Sequence, residues 1–225
     1  MAQEIDKDAG RVSLNKPVTL TFPNLLEAKA VQRNGKPTGD PKFSGNFEFE
    51  AGHPDLDALK RKALERAKAK WPGRDIGAEI KAGTFQWPFS NGAKLADKAK
   101  LKGKDREFSR DKTVLNSRSK FQPRLSIIEG GKMVDLESDD VIKMHGKKFY
   151  SGTEVLAQFN FQAYDGVGSN GLDGVTAYLD MVLTLNRGQK VAGGGPSAAD
   201  VFKGYAGSVT DEDPTTGLDD DGLPD

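Results

Sequence analysis

Two histidines, no cysteine and a scatter of carboxylates are all the chain offers for catalysis. His53 stands before an amphipathic segment and His145 before Gly146, Lys147 and Lys148. Neither has a Ser/Asp or second-His arrangement beside it, so acid–base and triad chemistry lack their parts. The missing thiol excludes disulfides, cysteine nucleophiles and cysteine-ligated zinc, and suits a reducing cytoplasm. Asp135, Glu137, Asp139 and Asp140 form a local carboxylate cluster that a metal-dependent nuclease could use. Such sites draw carboxylates from several elements, whereas a cluster beside a turn is usually a solvated face. A nuclease therefore stands as the alternative function.

Two further motifs fail on context. Residues 166–171 match G-x-G-x-x-G, but Val175, Tyr178, Val182 and Thr184 then follow strand spacing where a dinucleotide fingerprint needs a helix. A glycine-rich hairpin loop is expected instead. Asp219, Asp220, Asp221 and Gly222 hint at a calcium loop, but aligning Gly222 puts Gly217 at the first ligand position, and no closing glutamate follows. No catalytic residue, metal or cofactor is expected.

Binding chemistry is better supplied. Cations stand beside aromatic residues at Arg33, Lys36, Lys42 and Phe43, at Arg118, Lys120, Phe121 and Arg124, and at Lys147, Lys148, Phe149 and Tyr150. Tyr164 closes a later strand. Single-stranded nucleic acid calls for this mixture, since cations follow phosphates and rings stack on unpaired bases. Phe43, Phe121, Tyr150 and Tyr164 lie next to charge, glycine or a turn and are the candidate stacking residues. Phe47, Phe49, Phe159 and Phe161 alternate with polar residues and read as core.

The formal charge of zero conceals a division. All 33 bases lie at or before Lys203, and seven of the 33 acids follow it, leaving a body (1–203) of net +7 and a tail (204–225) of −7. The tail acids are Asp211, Glu212, Asp213, Asp219, Asp220, Asp221 and Asp225. An acidic tail can compete with nucleic acid for a cationic groove when it lies within a Debye length of about 8 Å, or be captured by basic pockets on a partner. No apolar run approaches the ~18 residues of a membrane span, and residues 1–8 lack the apolar stretch of a secretion signal.

The elements that must position these residues are mostly strands. Val18 to Phe22 alternates, Phe22-Pro23-Asn24 interrupts, and 26–32 reads as a second strand. Asn34-Gly35-Lys36 marks a turn, and Phe43, Phe47 and Phe49 alternate beyond it. One helix is clear over about 55–71, with Leu56, Leu59, Ala63, Ala67 and Trp71 on one face and Pro72-Gly73 as its stop. Residues 1–16 are expected to be loose and 73–112 to form a long surface loop. Strands follow at 113–119, 125–129 and 132–136, then at 155–164 and 175–185, which read as the longest. Gly193 to Pro196 is a break, and 197–202 reads as a helical turn. Low apolar content (36%) with 26 glycines and 11 prolines fits one modest core. A single principal helix among about seven strands points to a mainly β fold, an OB-fold-like antiparallel barrel.

Tyr150-Ser151-Gly152, the 155–164 strand, the glycine loop, Leu183-Thr184-Leu185 and the stretch from Gly193 to Phe202 resemble phage-encoded single-stranded DNA-binding proteins. Gly39-Asp40-Pro41-Lys42 before a strand and a helix is similar to their N-terminal half. The resemblance spans roughly 17–203 and, by character, the tail. It implies an OB-fold that coats single-stranded DNA in phage replication and recombination, in the cytoplasm of the infected host. It implies an acidic C-terminal tail that contacts polymerase, helicase or primase and restrains DNA binding. By position, Lys42 matches the family's basic residue before the early strand, and Tyr164 its aromatic after the late one. Such tails often end in an aromatic or apolar plug, whereas this one ends Gly222-Leu223-Pro224-Asp225, with Leu223 as the substitute. A phage structural or assembly protein that binds protein rather than DNA is the remaining alternative.

Overall fold

The computed structural model describes residues 9–33, 36–166 and 171–191, without the side chains of 31–33. In chain order its elements are β1 (Arg11–Ser13), β2 (Val18–Arg33), β3 (Lys36–Phe49), α1 (Leu56–Lys70), α2 (Ile76–Ala82), β4 (Phe89–Asn91) and α3 (Gly92–Lys100). Then follow β5 (Thr113–Ser119), β6 (Arg124–Glu129), β7 (Lys132–Asp135), α4 (Asp139–His145), β8 (Thr153–Tyr164) and β9 (Gly174–Thr184).

Five strands close a barrel. β2 pairs antiparallel with β3 and with β8, β3 with β5, and β8 with β9, and β5 and β9 complete the ring in parallel. The parallel seam is one residue pair, Ser117 opposite Ala177, sealed by the Ser117 hydroxyl donating to the Ala177 carbonyl at 2.7 Å. β6 takes over the β9 edge beyond the seam, and the β6–β7 hairpin extends the sheet outward.

Alternation fills the interior as expected. Phe47, Phe49, Phe159 and Phe161 are fully buried, and the Phe47 and Phe159 rings meet edge to face with centroids 4.7 Å apart. α1 buries Leu56, Leu59, Ala63 and Ala67 against this core and packs on β8 and β9. Asp55 before α1 does not cap it. Its carboxylate accepts from the Asn15 and Lys16 amides at 2.8 and 3.0 Å and from Asn15 Nδ2 at 3.0 Å.

Several expectations are corrected. The N-terminal stretch is not loose throughout, because β1 pairs with β8 and Asn15 is tied to Asp55; residues 1–8 lie outside the described residues. Residues 73–112 are not a long loop but hold α2, β4 and α3. Asp75 and Asn91 cap the two helices by accepting from the Ala78 and Lys94 amides. Gly92 opens α3 so close to the backbone that a Cβ there would lie 1.6 Å from the Ser109 carbonyl oxygen. β2 is not cut at Phe22-Pro23-Asn24; it runs on through a register shift between Thr21 and Asn24, with Phe22 at φ 49°. β2 and β3, at 16 and 14 residues, are longer than β8 and β9. The turn at 34–35 and the helical turn at 197–202 fall outside the described residues, although Arg33 pairing with Lys36 leaves two residues to join β2 and β3.

Candidate nucleic-acid interface

The register of β3 against β5 decides which side chains share the outer surface of the barrel. Ser44 lies opposite Arg118 and Asn46 opposite Asn116, while the intervening Gly45, Phe47, Leu115 and Ser117 are buried. The outer face thus carries a polar row, and Arg118 on it is exposed. Asn24 joins from β2, donating to Ser44 Oγ at 3.2 Å. Asn116 Nδ2 donates to Ser90 Oγ at 3.1 Å and to the Pro88 carbonyl at 3.3 Å.

The far halves of β2 and β3 form a ribbon that carries this face onward. There the register sets Lys29 opposite Lys42 and Arg33 opposite Lys36. Like charges directly opposite repel, so the ribbon is a standing attraction for anions. Lys120 and Phe121 leave β5 at the same end. Phe121 is 82% exposed. Lys120 lies 3.9 Å from Asp40, both exposed, an ion pair of little strength. Phe43, opposite Ser119, is half-buried at the barrel rim. Lys42, Arg118 and Lys120 therefore share one surface with exposed Phe121, whereas Phe43 takes the barrel-facing parity of Gly45 and Phe47. Arg33 joins by backbone register, and Lys36 is exposed beside it.

The other expected residues lie elsewhere. Arg124 is exposed at the start of β6, against Met181 of β9. Lys147, exposed, and Lys148, partly buried, belong to the turn 146–148. That turn meets β2 where Gly146 approaches Leu26, and Phe149, its neighbour, is buried. Tyr150 donates its hydroxyl to the Gly188 carbonyl at 2.9 Å, with Lys190 Nζ 5.8 Å from its ring. Tyr164 ends β8 opposite Gly174, at the barrel end away from the ribbon. It is 38% exposed, and its phenol is pushed above the ordinary value by burial and by neighbouring Tyr178 and Asp173. Gly174 leaves room for it: a Cβ there would lie 2.5 Å from Gln86 Cβ and 2.8 Å from the Tyr164 oxygen. The tail acids and Leu223 lie outside the described residues.

Three groups escaped the sequence. Lys29 and Tyr178 were hidden in strand patterning, although Tyr178 is 39% exposed. Phe22 fits the core alternation, yet its ring turns out of the barrel and takes the Arg106 guanidinium 5.0 Å from its centroid. Three of the four carboxylates offered for a nuclease have local roles. Asp135 accepts from the Ser126 hydroxyl at 2.6 Å, while Ser138 caps α4 and sets Asp139 and Asp140 in its first turn, where the helix dipole favours acids. Among the described residues no three potential metal ligands converge, and no helix is long and apolar enough to cross a membrane.

A closed five-strand barrel with this topology is OB-fold-like, a class that uses one sheet face and its flanking loops for oligonucleotides or oligosaccharides. The family model described as the ssDNA-binding protein of Enterobacter phage Enc34 matches residues 10–214, and the chain belongs to that family. The solved single-stranded DNA-binding protein from bacteriophage Enc34 superposes with a TM-score of 0.57 at 15% identity, over 89% of this chain and 97% of that one. The same phage protein in complex with ssDNA gives 0.56 at 15% identity, over 86% and 97%. At these identities the likeness is one of fold. A search of curated proteins finds no match.

Proposed function

We propose that the protein binds single-stranded DNA, without catalysis, along the outer face of β3 and β5 and the β2–β3 ribbon. The observation that carries this is the facing of Lys29 with Lys42 and of Arg33 with Lys36, continuous with exposed Arg118 and Lys120. A cationic row on the ligand-binding side of an OB-type barrel, in a chain of this family, supports phosphate contacts with little base readout. Phe43, Phe121, Tyr150 and Tyr164 supply rings for bases, and Arg124, Lys147 and Lys148 extend the positive surface. The role is coating and protecting DNA during phage replication and recombination, in the cytoplasm of the infected host. The acidic tail, through Asp211 to Asp225 with Leu223, competes for the groove and recruits replication proteins. The domain boundary is placed at Lys203, where the charge changes sign.

One titration tests both parts. Fluorescent oligo(dT) is added to the full chain and to a chain ending at Lys203, across a range of salt. Binding that falls steeply with salt, and tightens on truncation, is the expected result. A flat salt response removes the phosphate model, and equal affinity of the two chains removes the tail from it.

A further inference from the structure

The first part of β2 should bury every second residue, and Val18 and Leu20 are indeed buried. Phe22 breaks the rule at two costs. Its backbone takes φ 49°, a left-handed conformation shared only with Asn186 among the described non-glycine residues and strained for an aromatic residue. Its ring, which a core position would bury, is left 38% exposed. Two hydrogen bonds hold the bulge: the Phe22 amide donates to Ser151 Oγ at 3.3 Å, and the Gly152 amide donates to the Leu20 carbonyl at 2.7 Å.

The ring is turned towards an arranged setting. Arg106 lies over it at 5.0 Å, and Phe108 lies 6.1 Å away at 39°. Arg106 is itself fixed, its Nε donating to Ser109 Oγ at 3.2 Å while Ser109 donates to the buried Glu48 at 2.7 Å. Thr21, before Phe22, pairs with Asn46, and Asn24, after it, bonds Ser44, the neighbour of Arg118. The ring therefore stands on the cation-lined outer face, flanked by that polar row.

We infer that Phe22 is a base-stacking platform of the single-stranded DNA site, with Arg106 holding the ring at its back. The inference rests on the function proposed above and adds an aromatic contact near the middle of the face. A strained backbone that turns a hydrophobic ring out of the core beside a cation is the kind of local conflict found at ligand sites. The ligand class is an unpaired nucleobase of any identity, since every base presents a π-face.

Phe22→Gly tests it, because glycine adopts the positive φ without strain and removes only the ring. Oligo(dT) affinity should fall about 5- to 150-fold, the span of one lost stack. The salt slope should stay that of the wild type, because no phosphate contact is removed, and the thermal midpoint should hold or rise. Phe22→Tyr should bind as the wild type does. Phe22→Leu, which keeps the bulk without the π-face, should lose affinity as Phe22→Gly does, and it serves if the glycine variant does not fold. Wild-type affinity in Phe22→Gly or Phe22→Leu overturns the inference while leaving single-stranded DNA binding intact. A wild-type chain that binds no oligonucleotide overturns the proposed function and this inference together.

Discussion

Arg74 and Asp173, 99 residues apart in the chain, meet through a 2.6 Å hydrogen bond from Nη1 to the carboxylate. The same guanidinium grips Glu79 through Nε and Nη2, at 3.0 and 2.5 Å. Asp173 also accepts from the Gly166 amide at 2.9 Å, and Lys70 reaches Asp165 at 2.7 Å. The loop between β8 and β9 is thus pinned at both stems to the end of α1 and the start of α2, which fixes the ground on which Tyr164 stands.

That pin is pH-dependent with a definite sign. The Arg74 hydrogen bond, then the Gly166 amide, holds the Asp173 carboxyl below the ordinary range, and Arg74 does the same for Glu79. Both folded values are depressed, so the stabilisation is complete above the unfolded values of about 4. It is lost as pH falls through the folded ones. The thermal midpoint of the wild type should exceed that of Arg74→Met at pH 7, with the gap narrowing as the pH falls below about 4. High salt should narrow the gap, since the groups are accessible to solvent. A gap that does not narrow at all as the pH is lowered from about 4 would assign the difference to packing.

Arg118→Ala and Lys120→Ala remove exposed cations from the proposed rail. Each should lower the slope of log affinity against log salt by about 0.7, the value for one phosphate on a single strand. Stability should stay within about 0.5 kcal/mol of the wild type. Fluorescence anisotropy at four salt concentrations and a thermal melt check both statements.

Tyr164→Ala should weaken oligonucleotide binding with the circular dichroism spectrum unchanged, and Tyr164→Phe should restore it, because stacking needs the ring and not the hydroxyl. Quantitative gel shifts of the two variants decide this. Equal loss in both would give the role to the hydroxyl.

Glu48 is buried under Ser109, accepting from Thr21 Oγ1 at 2.9 Å and from Ser109 Oγ at 2.7 Å, with Lys112 and Arg106 at 3.8 and 3.9 Å. Glu48→Ala should cost about 3–5 kcal/mol, because it removes the acceptor of the Thr21 and Ser109 hydroxyls and the charge beside largely buried Arg106, while Lys112 keeps Glu50 at 3.1 Å. Glu48→Gln keeps an acceptor and should cost less. Denaturant unfolding followed by tryptophan fluorescence compares them.

What could be read from residues alone followed the strength of each local signal. Phe47 with Phe49 and Phe159 with Phe161 announce buried strand faces, and the Leu56 to Ala67 spacing announces α1, because each repeats a period over enough residues. α2 and α3, at seven and nine residues, are shorter than the window in which a helical period is visible, and their lysines and glycines read as loop. Lys42, Arg118 and Lys120 were legible as cations beside rings, but Lys29 was not, because its importance lies in the partner it faces across the ribbon. Glu48 sits at an outward strand position and looks solvated until Ser109 is folded over it. Phe22 is invisible to periodicity, since one backbone torsion reverses the side on which an ordinary alternating residue emerges.

The seam between β5 and β9 has a consequence in time. Ser117 and Ala177 are the one residue pair that joins β5 to β9, whereas every other junction of the ring is a ladder of several pairs. A junction held by a single pair opens at less cost than a continuous ladder, so the cylinder is expected to part first along this line. Amides that point across this seam should exchange hydrogen before those that point from β8 to β9. The barrel is then a cask whose loosest joint runs along β5, the stave that also carries Arg118.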